Sequence, residues 1–94
     1  MDDVVWTQRA KRNLNDIGEY IAQDDPAAAE RTVRRIVEKV SSLAFYPLIG
    51  RAGHVEGTRE LVIANTPYIA VYRIKERVEV LLVRHGAQRW PEAF

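Results

Sequence analysis

The sequence predicts an α+β fold: an N-terminal strand, an antiparallel helical hairpin, then a three-stranded antiparallel meander, all in one small sheet. Three observations carry this expectation. Apolar residues recur at spacings of three and four from Ala10 to Leu43, the period of a helix that buries one face. From Val55 the spacing shortens to that of strands, and Val, Ile, Leu and Tyr concentrate there. The connectors Asp24-Asp25-Pro26, Asn65-Thr66-Pro67 and Lys75-Glu76-Arg77 are too short to join anything but antiparallel neighbours.

Val4-Val5-Trp6 reads as the first strand, and it is expected to join the later sheet and cover an otherwise open edge. Thr7 stands where a helix N-cap belongs. Ala10, Leu14, Ile17 and Ile21 form the apolar stripe of the first helix, opposite Arg9, Lys11, Arg12, Asn15, Asp16 and Glu19. Asp25 is a good N-cap for the second helix, and Pro26 suits its first turn, where a missing N–H costs nothing. That helix carries Ala29, Val33, Ile36, Val37, Val40, Leu43 and Ala44 inward, with Arg34 and Glu38 outside as an expected pair. Pro47 stops it, and Gly50 and Gly53 open a loop. Three strands follow, over 59–64, 68–74 and 78–84. In the middle one Tyr68, Ala70, Tyr72 and Ile74 face one way and Ile69, Val71 and Arg73 the other. Val80-Leu81-Leu82-Val83 is apolar on both faces, which marks a central strand.

Ninety-four residues allow a single domain, here spanning 1–94, with one core. A composition 47% hydrophobic and 29% charged excludes a disordered tail protein. The absence of cysteine excludes a disulfide scaffold and fits a reducing, cytoplasmic setting. No apolar run approaches the roughly 18 residues that span a bilayer. The acidic Met-Asp-Asp start lacks the features of a signal peptide, so neither export nor a membrane is expected. A net charge of +1 argues against bulk nucleic-acid binding, so any polyanion must be met locally. Eleven of the fourteen basic residues are arginine, the side chain that grips phosphate or carboxylate with a planar fork.

Most catalytic chemistry is excluded by inventory. There is no cysteine nucleophile, no glycine-rich phosphate loop and no close carboxylate pair. His54 and His85 are far apart in sequence and have no third metal-ligand pattern beside them. Ser41 and Ser42 both sit on the second helix, which makes a serine triad implausible. No metal and no cofactor are expected. The strand ends hold what remains. Arg59, Arg73, Arg84 and Arg89 could clamp phosphate, His85 could move a proton, and Trp90 or Tyr68 could stack on a base. The same residues have structural alternatives: Trp90 packed over the sheet edge, His85 as a surface histidine, Arg59 paired with Glu60 or Glu79.

Trp6-Thr7, Tyr20-Ile21, Pro26-Ala27-Ala28-Ala29, Pro47, Gly50-Arg51, Gly57-Thr58-Arg59-Glu60-Leu61, Pro67-Tyr68, Tyr72-Arg73 and the run His85-Gly86-Ala87-Gln88-Arg89-Trp90-Pro91 appear in an order and spacing that resembles the RelE/ParE toxin superfamily. The resemblance covers nearly the whole chain. It implies the toxin of a type II toxin–antitoxin pair, held inactive by a partner antitoxin. RelE-like members cut messenger RNA in the ribosome without a metal, using the message's own 2′-hydroxyl, whereas ParE-like members poison DNA gyrase. Nuclease members carry a basic residue in the middle strand that would stabilise charge on the phosphate, and Ile69 stands at that place here. That departure and the long proline-containing hairpin favour the ParE branch. The resemblance to nuclease members makes Arg59 and Arg84 the phosphate ligands and His85 the acid or base of the alternative, an mRNA endonuclease. Arg51, Tyr68, Arg73, Arg89 and Trp90 become candidates for contacts with target or antitoxin. A third reading is a degenerate member that only binds antitoxin. The antitoxin's C-terminal segment is expected to lie across the sheet face bearing Ile69, Val71, Leu81 and Val83, its acidic side chains reaching Arg59, Arg73 and Arg84.

Overall fold

The computed structural model describes residues 3–87. The elements run β1 (Val4–Trp6), α1 (Gln8–Ala22), α2 (Pro26–Ser41), β2 (Arg51–Ala52), β3 (Thr58–Val62), β4 (Tyr68–Ile74) and β5 (Val78–His85). They form one five-stranded sheet in the order β1-β5-β4-β3-β2. Its pairs are antiparallel except β1 with β5, which is parallel. The expected architecture holds, with β1 at one edge and the helical hairpin packed on one sheet face.

Each helix begins where its cap dictates. The Thr7 hydroxyl accepts from the Ala10 N–H at 3.2 Å and donates to the Val80 carbonyl at 2.8 Å, so one side chain caps α1 and ties it to β5. Asp25 accepts from the Ala28 N–H at 3.0 Å, with Pro26 in the first turn of α2. The hairpin closes tightly at Gly18, where a Cβ would lie 3.3 Å from a Val33 methyl. Ala10, Ile36, Val40 and Leu43 are buried against Leu61, Ala70, Tyr72, Val80 and Val83, and Leu14, Ile17 and Ile21 pack on that cluster. Burying each Val, Leu or Ile side chain stabilises by about 1.5–3 kcal/mol.

Several local expectations need correction. The α-helix ends at Ser41 and tightens into a 3-10 turn over Ser42–Ala44, so Leu43 is buried from that turn. Val37 is 38% exposed, one residue around the helix from the Ile36–Val40 stripe. Arg34 pairs with Glu30, not Glu38. Strand β2 was not anticipated. It is only two residues long, between Gly50 and Gly53, and exists through its pairing with Arg59 and Glu60.

A bulge decides the faces of β5. Val71 pairs with Leu82, but Tyr72 pairs with Val80, which leaves Leu81 as an extra residue. The spacing of three between Val80 and Val83 thereby fits a strand, and both residues join the helix-side core. Leu81 and Leu82 pack instead with Val71 on the opposite face. Val83 therefore leaves the face it was expected to share with Val71, and Leu82 takes its place. That face is not bare: Ile69, Val71, Leu81 and Leu82 are all buried.

Candidate functional site

The loop from Phe45 to Gly50 is held from below by one buried phenol. The Tyr72 hydroxyl accepts from the Gly50 N–H at 2.9 Å and donates to the Pro47 carbonyl at 2.7 Å. Burial raises the pKa of this hydroxyl above 10.0, while the Gly50 bond and nearby Arg59 act against the rise. A Cβ at Gly50 would stand 2.5 Å from the Tyr72 oxygen and 2.9 Å from the Glu60 carbonyl, so only glycine fits there. Thus anchored, the loop presents Phe45, Tyr46, Leu48 and Ile49 outward, 52–80% exposed.

The three residues of the nuclease alternative do not converge. Arg59 pairs across the ladder with Tyr72, on the helix side of the sheet, and donates to the Gly50 carbonyl at 2.8 Å and the Leu48 carbonyl at 3.3 Å. It pairs with neither Glu60 nor Glu79. Arg84 lies on the opposite face, opposite Ile69. Its guanidinium donates to Glu60 at 2.8 Å, the two side chains being 9% and 4% exposed. The second Glu60 oxygen accepts from Arg51 at 2.9 Å, whose own side chain is largely exposed. Arg73 pairs with Glu79. The arginines expected to meet acidic groups of a partner are thus already engaged within the chain: the strand register sets Glu60 beside Arg84 and Glu79 beside Arg73, while Arg59 is held by loop carbonyls.

His85 is exposed at the end of β5, its ring perpendicular to Tyr68 at 5.7 Å between centroids. Its Nδ1 accepts from the Ala87 N–H at 3.1 Å. Tyr68 and His85 line a cleft of about 440 Å³ whose other wall is Asn13, Asp16, Ile17 and Tyr20 of α1. Burial, and secondly the neighbouring Tyr20, push the Tyr68 hydroxyl above its ordinary value. Arg89 and Trp90 lie outside the described residues.

Two functional features escaped sequence reasoning. Glu60 is the hub of the Arg84 and Arg51 pairs. Its signal was a lone carboxylate inside the strand Thr58–Val62. Asp16 read only as part of the polar side of an amphipathic helix and Tyr20 only as part of the Tyr20-Ile21 pair, since nothing in the sequence says how close they come to the end of β4.

The sequence pattern of the family described as "ParE toxin of type II toxin-antitoxin system, parDE" matches residues 4–90. The chain is 54% identical over 89 residues to the putative toxin Y4kP of Sinorhizobium fredii, covering 95% of this chain and 93% of that protein. It is 39% identical over 89 residues to Toxin RelE2 of Caulobacter vibrioides, covering 94% and 99% respectively. Among solved structures it resembles the chromosomal ParDE toxin–antitoxin system from P. aeruginosa, with a TM-score of 0.78 and 29% identity over 87% of this chain and 92% of that one. A match of this extent, on the fold described above, places the chain in the ParE toxin family of type II toxin–antitoxin systems.

Proposed function

We propose that this chain inhibits growth when released from a partner antitoxin, and that it does so by binding DNA gyrase rather than by cutting RNA. The observation that supports the binding mode is the employment of Arg59 and Arg84. Arg59 holds loop carbonyls on one sheet face and Arg84 is buried against Glu60 on the other, so neither is poised beside His85 for a shared phosphate. Transition-state stabilisation requires donors converging on one point, and Ile69 supplies none at the middle-strand position. The antitoxin partner is carried over from the ParDE system it resembles. Both partners would be met in the cytoplasm.

Ribosome-dependent mRNA cleavage, implied by the resemblance to RelE-like members, is the second reading, and a relative at 39% identity bears the name Toxin RelE2. Purified gyrase acting on relaxed plasmid, with and without the chain, separates the two. Lost supercoiling or accumulated cleaved DNA is expected. Supercoiling indifferent to the chain, together with A-site cuts in a toeprint of translating ribosomes, would transfer the function to the nuclease reading. Unimpaired growth on expression of soluble chain without antitoxin would leave only the degenerate member.

A further inference from the structure

Asn13, Asp16, Ile17 and Tyr20 occur at i, i+3, i+4 and i+7 of α1 and so form one stripe. Across the cleft stand Tyr68 and His85. Three features of its polar groups point to a ligand. Tyr68 is only 8% exposed as a whole residue, and its hydroxyl makes no hydrogen bond to any described residue, which leaves it open to a partner from outside the fold. That oxygen keeps solvent access, so a ligand can reach it. The Asp16 carboxylate makes neither an ion pair nor a hydrogen bond with the described residues. The His85 ring, fixed through Nδ1 by the Ala87 N–H, meets Tyr68 edge to face.

One carboxylate, two phenol oxygens and aromatic faces repel an anion and suit a flat cation. A guanidinium can stack on an aromatic ring while its edge donates to a carboxylate and a phenol together. An ammonium is a strongly hydrated point charge and cannot do both. A free amino acid would bring its own carboxylate toward Asp16, while an arginine within a polypeptide would not. We propose that this cleft is a binding site for the guanidinium of an arginine side chain presented by a protein partner. The site does not depend on whether the chain acts on gyrase or on RNA.

The test uses the intact chain and N-acetyl-L-argininamide as the probe, followed by NMR of the aromatic rings. Saturable shifts at Tyr20, Tyr68 and His85 are expected, with the lysine analogue binding more weakly. Asp16→Asn should weaken binding about fivefold, the scale of one partly exposed charge pair. Its melting temperature should not change, because Asp16 supports nothing in the fold. Shifts that rise without saturating, an equal response to the lysine analogue, or unchanged affinity in Asp16→Asn would each overturn the site. Tighter binding of free arginine than of the amide would assign the cleft to a small metabolite and overturn the protein partner.

Discussion

Replacing Tyr72 with Phe removes one oxygen from a side chain that is 0% exposed. That oxygen serves two backbone groups, accepting from Gly50 at 2.9 Å and donating to Pro47 at 2.7 Å. Gly50 is buried and Pro47 partly so, so water replaces the lost partner poorly at the first and better at the second. A stranded buried backbone donor costs about 1–3 kcal/mol and a partly wetted carbonyl about 0.5–1 kcal/mol. Tyr72→Phe should therefore destabilise the chain by about 1.5–4 kcal/mol. In a domain of this size each kcal/mol moves the melting temperature by about 4–8 °C. Urea unfolding followed by circular dichroism measures the difference, with an unchanged m-value showing that the folded state remains as compact. The pH dependence supplies a second readout. Burial holds the folded-state pKa of Tyr72 above 10.0, so the unfolded chain releases this proton first. The stability this confers is fully present below pH 10 and is lost as pH rises from there through the folded-state value. The variant lacks that contribution, so its alkaline decline should be shallower. A loss below about 0.5 kcal/mol, within the range of neutral surface changes, would refute the claim that this hydroxyl anchors the loop.

Glu60→Ala should cost about 3–5 kcal/mol in urea unfolding, because it leaves the buried Arg84 guanidinium without its carboxylate. The double variant Glu60→Leu with Arg84→Met should recover most of that loss. Thr7→Val should cost about 1–2 kcal/mol by thermal melting, removing the α1 cap and the bond to Val80 together. Gly57→Ala isolates backbone strain: φ is +84° with open space around the missing Cβ. A loss of about 1 kcal/mol is expected from conformation alone.

Local periodicity sufficed for the order of elements, because helices and strands are written in the spacing of apolar residues and their stops in residues such as Asp25 and Pro26. Thr7 was legible as a cap for the same reason: the hydroxyl and the amide it serves are three residues apart. The burial of Tyr68, Ala70 and Tyr72 on one face followed from strict alternation along β4. The superfamily was legible too, since it rests on residue order and spacing. Tertiary structure alone decided what lies between elements. The bulge at Leu81 depends on the mismatch between β4 and β5, so Val83 and Leu82 exchanged faces relative to simple alternation. The roles of Arg59, Arg84 and Glu60 depend on cross-strand register, where a shift of one residue moves a side chain to the other face. Arg59 and Arg84 look equivalent as strand-end cations, yet they ended on opposite faces with different partners. The cleft beside Asp16 and Tyr20 exists only because α1 packs on the sheet face beside Tyr68 and His85, a geometry set by long-range burial of Ala10, Leu14 and Ile17 against strands far along the chain.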